Sequence, residues 1–249
     1  MSEMATVELE APWMPFLARA SARVTSRNRR IMRRTLVGTL FAILGLMLWV
    51  GAAPATELAG TVVAVSGSCT ANGRALKSGD AVQVSDTVDV PTGSNLKLQL
   101  TDGSQISVAQ GSSMTVISYS VDGAGRQANL SLAQGVLRAV VAPFGGRSTF
   151  EVATAVGTAS VRSGSADWFI VVQAGSAQVG VLAGTVDLTS AARGGAVSIP
   201  AHWGTRLESG LAPMMPRVWT QMEFKAVIRL TECCQSAQPK SETAHSPTR

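Results

Sequence analysis

Leu96-Lys-Leu-Gln-Leu100 alternates apolar and polar residues, with three leucines on one face and Lys97 and Gln99 on the other. Successive side chains of a strand point to opposite faces, so this is the pattern of a strand half-buried against a core. Comparable short runs recur at Thr61–Val65, Ala81–Val84, Gln105–Val108, Met114–Ser118, Ala128–Leu132, Val136–Val141, Phe150–Val152 and Ala196–Ile199. Turn residues separate them, among them Asn72-Gly73, Ser78-Gly79-Asp80, Thr101-Asp102-Gly103-Ser104 and Asp122-Gly123. The forty residues from Glu151 to Ser190 are the densest part of the pattern. Apolar runs at Trp168–Val172 and Val179–Leu182 and an alternating run at Val186 and Leu188 are divided by Ala174-Gly175 and Ala183-Gly184, which reads as three strands. Ala196–Ile199 is expected to close the sheet region. Ala-Gly-Thr-Val occurs at Ala59–Val62 and again at Ala183–Val186, with an echo at Gly135-Val136, and suggests repeated units that each start a strand. The chain is predicted to be all-β, and strands spaced about ten residues apart fit a sandwich, a barrel or a solenoid equally.

Two segments break the period of two. Thr35 to Ala53 is uncharged for 19 residues and follows Arg29, Arg30, Arg33 and Arg34. It is long enough to cross a bilayer core, with the arginines holding its N-terminus in the cytoplasm. Alternatively, with translation starting at Met32, Leu36–Val50 is the core of a signal peptide cleaved after Ala53-Pro54-Ala55. Either way residues from about 57 onward are exported, to a periplasmic location, released or anchored by one N-terminal hydrophobic helix. From Val218 to Leu230, Trp219, Met222, Ala226 and Leu230 recur at three- and four-residue steps, which predicts an amphipathic helix packed on the sheet by that stripe. The expected division is a basic leader or start-site artefact at 1–34, the signal or anchor at 35–55, the β domain at 57–212, a Pro/Trp segment with the helix at 213–234, and a polar, disordered tail at 235–249.

Charge and chemistry narrow the function. The net charge is +5, but residues 1 to 34 hold seven Arg and three Glu, which leaves 21 − 7 = 14 basic and 16 − 3 = 13 acidic residues elsewhere. A body of charge +1 offers no clustered cationic face for phosphates, so nucleic acid is not an expected partner. There is no Gly-x-Ser-x-Gly, no glycine loop leading into a helix, and His202 is the only histidine of the β domain. A serine nucleophile needs a base held by a third group. The reading is therefore non-enzymatic, with no cofactor, no metal and no small-molecule substrate. Cys69, Cys233 and Cys234 lack metal-ligand spacing. In an oxidising compartment Cys69 could pair with Cys233 or Cys234, closing a loop worth roughly 4 to 5 kcal/mol in the chain-entropy model; three free thiols are the alternative.

Collinear motifs carry a resemblance. Leu76-Lys-Ser-Gly79-Asp80, Thr92-Gly93, Leu98-x-Leu-x-Asp102-Gly103-Ser104, Leu132-x-x-Gly-Val136, Val161-Arg162, Val181-Leu-x-Gly184-x-Val186 and the glycine, prolines and Trp219 after the last strand stand in the order of the periplasmic FecR domain, which the chain resembles from about Gly60 to Trp219. It departs where the family has Thr-Pro and Arg-Gly-Thr, carrying Thr154-Ala155 and Arg162-Ser-Gly-Ser165 instead. The resemblance implies a twisted β-solenoid-like or sandwich fold. It also implies a sensing or regulatory module acting by protein contact in the cell envelope. Such domains sense the signalling domain of a TonB-dependent transporter and report through a membrane helix to a segment controlling a sigma factor. The 34 residues before the hydrophobic segment lack the length and periodicity of a sigma-binding domain. A structural or ligand-binding envelope protein is the second reading. Arg162 is expected to fix its turn through backbone carbonyls or Asp167, and strand addition at a sheet edge is the expected mode of partner contact.

Overall fold

A computed structural model describes residues 57–232, apart from 163 and 193. Its seventeen strands form two sheets that share one long strand. The first sheet holds β1 (Leu58–Ser66), β4 (Ala81–Gln83), β6 (Asn95–Leu100), β7 (Gln105–Val108), the second half of β9 (Gly125–Val141), β12 (Ala166–Gln173), β13 (Ser176–Ala183), β16 (Trp203–Glu208) and β17 (Arg217–Val218). Its spatial order is β4-β1-β6-β7-β9-β12-β13-β16-β17. The second sheet runs β3 (Arg74–Ala75), β2 (Thr70–Ala71), β5 (Thr87–Val90), β8 (Ser112–Val121), the first half of β9, β10 (Arg147–Ala153), β11 (Gly157–Val161), β14 (Thr185–Ser190) and β15 (Ala196–Pro200).

Along the chain the strands alternate between sheets in ones and twos, so the fold is a sandwich by layering and solenoid-like by winding. All pairings are antiparallel except β9 with β10, where Gly125 to Ser131 runs alongside Arg147 to Ala153. That exception marks a completed coil: β9 crosses from the second sheet to the first, and the chain returns to lie beside its own beginning. One core fills the space between the sheets, with Trp168, Phe150, Leu96, Leu98, Ile106, Met114, Leu130, Leu132 and Ile170 fully buried.

Several expectations change. Ala128–Leu132 and Val136–Val141 are one strand, because Gly135, at φ +99, takes β9 through the crossing without interrupting it. A side chain there would collide with Ser112, whose Oγ instead accepts the Val136 N–H at 2.9 Å. Ala196–Ile199 does not close the sheets, since β16 and β17 follow; β5 and β11 are additional to the expected strands, β5 because its alternation covers only the four residues Thr87-Val-Asp-Val90, β11 because its small residues weaken the apolar signal. The two Ala-Gly-Thr-Val copies are not equivalent units. The first lies inside β1, whereas the second straddles the turn between β13 and β14. The hydrophobic segment 35–53 and the tail 235–249 lie outside the described residues. Among the described residues no helix is long and apolar enough to cross a membrane.

The helix is real but rotated. α1 spans Gln221–Thr231, and it buries Phe224 and Thr231 with Val227 and Ile228 half-buried, while Met222, Ala226 and Leu230 face outward. The reason lies at its N-terminus. Thr220 is the N-cap and Glu223 completes a capping box, which places Trp219 outside the helix and Phe224 at its fourth position. These two sites form a hydrophobic staple, and the rings meet with centroids 5.6 Å apart.

Candidate functional site

β12 presents an unbroken apolar run because both of its faces are covered. Trp168, Ile170 and Val172 enter the sandwich core, and Phe169 points to the opposite side yet is fully buried. Phe169, Trp219 and Phe224 form a second apolar cluster on the outer face of the first sheet, at centroid distances of 5.5, 5.6 and 6.0 Å. Two glycines make room for it. A Cβ at Gly180 of β13 would collide with the Phe169 ring, and one at Gly204 of β16 with the Trp219 indole. Beside the helix, Arg138 of β9 and Asp167 of β12 form a two-pronged ion pair at 2.8 and 2.9 Å.

Trp219 of this cluster also lines a cleft of about 430 Å³ between α1 and β16. Met214, Met215, Ala226 and Val227 supply apolar walls, and Gln178, Arg206, Arg217 and Glu223 supply polar ones. The segment from Leu211 to Val218 borders β16: the Met214 N–H donates to the Arg206 carbonyl at 3.0 Å, and Thr205 Oγ1 donates to the Met214 carbonyl at 2.6 Å. It leaves its larger side chains in solvent, with Met215 90% exposed and Leu211, Met214 and Val218 more than half exposed, and Met222 of α1 is 81% exposed. Arg217 donates to Glu223 Oε1 at 2.5 Å, and with the Thr220 N–H it holds the Glu223 carboxyl down to about 2. An apolar cleft with a few fixed polar groups and a flexible methionine rim is suited to holding an apolar side chain of another macromolecule.

The motif residues from the sequence do not converge on this cleft, apart from Trp219. Gly79 and Asp80 form the turn into β4, where Asp80 accepts the Lys77 N–H at 2.8 Å. Thr92 and Gly93 form the turn into β6, with the Gly93 N–H on Gln110 Oε1 at 2.7 Å. Gly184, at φ +83, turns β13 into β14 under the Ser165 carbonyl. Val161 is buried at the end of β11.

Asp102, Gly103 and Ser104 do more than turn the chain. Asp102 Oδ2 accepts from Arg126 Nη1 at 2.6 Å and from Ser104 Oγ at 2.7 Å, with both charged side chains fully buried. Arg126 also donates to Ser148 Oγ at 2.6 Å and to the Ala142 carbonyl at 2.9 Å, and lies over the Phe144 ring. Burial pushes the Asp102 carboxyl up, but hydrogen bonds from Ser104 and Arg126 outweigh it and hold it below its ordinary value. Tyr119, whose Oη accepts the Asp102 N–H at 2.9 Å, is pushed up to about 12, chiefly by burial. These contacts tie the turn after β6 to β8, β9 and β10, a structural staple across the two sheets.

Arg162 is a correction. It is exposed, makes no hydrogen bond among the described residues, and leaves Asp167 to Arg138; Arg126 is the arginine that works as a buried fork. The Thr154-Ala155 departure is absorbed locally, since Thr154 Oγ1 accepts the Gly157 N–H at 3.1 Å and donates to the Gly157 carbonyl at 2.8 Å. Cys69 is buried, with its thiol raised by burial and directed at the Asn95 carbonyl; Cys233 and Cys234 lie outside the described residues. His202 is exposed in a left-handed turn between β15 and β16. The cleft has a sequence signal of its own in Trp219-Thr-x-x-Glu-Phe224, a capping box inside a hydrophobic staple.

Comparison with known proteins places the middle of the chain. No curated protein matches it significantly in sequence. Two crystal structures of a candidate anti-sigma factor from Parabacteroides distasonis ATCC 8503 are similar, with TM-scores of 0.47 and 0.46 and identities of 15% and 16%. Each similarity covers 57% of this chain and 64% or 63% of the other, so this chain spans less than two thirds of their length. The family described as FecR protein matches residues 86–187, from the end of the turn before β5 into β14. Residues 86–187 of this chain are therefore similar to the FecR domain, and the match extends over that segment.

Proposed function

We propose that this protein is a sensing or regulatory module of the cell envelope that acts by protein contact, with the cleft between α1 and β16 as its contact site. The observation that carries the reading is the apolar outer surface of the Leu211–Leu230 region. Five of its large apolar residues are more than half exposed, and two of them, Met214 and Met215, line a cleft together with Trp219, whose ring packs on Phe169 and Phe224. Large exposed apolar patches around a concavity are features of interaction sites. The FecR domain supports a regulatory role, and the basic residues followed by an apolar segment at 35–53 support placement of the body outside the cytoplasm. A transporter's signalling domain is the partner class the family suggests.

The test has two arms. A C-terminal fusion to a reporter active only outside the cytoplasm is expected to be active; an active cytoplasmic reporter instead contradicts the location. Met215→Glu combined with Met222→Glu alters exposed positions and is expected to leave the fold intact while abolishing co-purification of the envelope partner. Undiminished recovery of that partner would contradict the site.

A further inference from the structure

The sandwich has four sheet edges, and three are blunted. β3 and β4 are two and three residues long, and Arg74 Nη2 caps the Ala81 carbonyl of β4 at 3.2 Å. β16 is bordered by β17 and by Met214. The fourth edge, β15, is five residues long, and no other strand pairs with its outer side among the described residues.

The register says which of its backbone groups are free. The Ser190 N–H donates to the Gly195 carbonyl, so Ser190 and Gly195 form a hydrogen-bonded pair. Along an antiparallel ladder such pairs alternate with non-bonded ones, so Val197 and Ile199 turn their backbone groups toward β14. Ala196, Ser198 and Pro200 therefore turn theirs outward, and none of these groups has another partner among the described residues. Natural edges of this kind are protected by charge, above all by lysine, by proline, by shortness or by a bulge, and the one proline here stands at the last position of the strand, where it removes a single outward N–H. Ala196-Val-Ser-Ile-Pro200 carries no charge, and its register with β14 is unbroken.

We infer that β15 is a strand-pairing edge whose occupant is β15 of a second copy of this chain, in an antiparallel pair with its two-fold axis at Ser198. Centred there, Val197 faces Ile199 of the other copy, so the core-facing side chains of both copies fall on one face and the exposed Ala196, Ser198 and Pro200 on the other. Each Ser198 N–H donates to the other Ser198 carbonyl, and each Ala196 N–H donates to the other Pro200 carbonyl. Proline's missing N–H costs only the bond to the Ala196 carbonyl. A shift of register by one residue would place core-facing side chains opposite solvent-facing ones, and a shift by two would leave only three of the five residues paired, so the centre at Ser198 is the one register that pairs the whole strand. The inference goes beyond the cleft, uses none of its residues, and would stand if the cleft bound nothing.

The experiment uses the full chain in mild detergent with Cys233→Ser and Cys234→Ser, so that no native tail thiol cross-links. Ser198→Cys is then oxidised gently, with Ser120→Cys on β8 as the reference exposed position. At the axis of a hydrogen-bonded pair the Cα atoms lie about 5.5 Å apart, within reach of a disulfide. Ser198→Cys is expected to be captured as a covalent dimer, with Ser120→Cys remaining monomeric. In parallel, sedimentation should show a dimer that Ser198→Lys, which sets two ammonium groups at the axis, converts to monomer with an unchanged far-UV spectrum. Equal cross-linking at 198 and 120, a monomeric parent chain, or a dimer that survives Ser198→Lys would each overturn the inference.

Discussion

The two faces of β12 are both buried, yet for different reasons. Trp168, Ile170 and Val172 look into a core to which strands along the whole chain contribute, whereas Phe169 is covered by Trp219 and Phe224, fifty residues later in sequence. The inner face is held redundantly by many strands, and the outer face depends on one capped helix of eleven residues. The sandwich is thus expected to unfold as a unit, with the outer layer able to loosen separately. A contact site built on the looser layer can change without loss of the fold.

The largest effects should come from breaking the inner side. Arg126→Ala leaves the buried Asp102 carboxylate without its countercharge and is expected to cost about 3–5 kcal/mol, read as a fall in the urea midpoint. Because the folded-state pKa of Asp102 is lowered, its contribution is fully present above the carboxyl's ordinary value and is lost as pH falls through the lowered one. Acid unfolding below about pH 4 should therefore be less steep in Asp102→Asn than in the parent chain. Trp168→Ala empties the centre of the core and is expected to cost about 3–5 kcal/mol in the same global transition.

The outer side should answer differently. Phe224→Ala is expected to raise hydrogen exchange across α1 and the Leu211–Val218 segment while β6, β9 and β12 keep their protection; equal loss throughout would mean that the two layers are one cooperative unit. Gly204→Ala drives a methyl group into the Trp219 ring and is expected to cost about 1–3 kcal/mol of helix docking, visible as a shift in tryptophan fluorescence before the global transition. Thr220→Ala removes the N-cap and should cost the smallest amount, about 1 kcal/mol.

This contrast also explains what could be read from the chain. Strands with one buried face announce themselves by alternation, as Leu96–Leu100 and Gln105–Val108 do, and their predicted limits lie within a residue of those observed. β11, Gly157-Thr-Ala-Ser-Val161, has no such signal because close packing against Thr189 and Leu207 demands small residues, and small residues resemble a loop. The FecR motif residues were legible as turns, and most of them are turns. Their linkage was not: nothing local in Asp102-Gly-Ser104 indicates that its carboxylate meets Arg126 and Ser148, since that meeting depends on β9 passing between sheets. Spacing alone misplaces the helix stripe because it gives Met222 and Leu230 the same weight as Phe224, whereas the cap fixes which face turns inward. The cleft needs β13, β16, the 211–218 segment and α1 together, and only the Trp219-to-Phe224 staple hinted at it.

Photocrosslinking in living cells tests the contact site most directly. A photoreactive residue replaces Met215 at the cleft rim in one strain and Ile117, an apolar residue 54% exposed on the second sheet, in another. The account predicts a discrete adduct with an envelope protein from position 215, absent from position 117 and lost on Met222→Glu. Adducts of the same size and yield from both positions would mean that exposed apolar surface, and not this cleft, makes the contact.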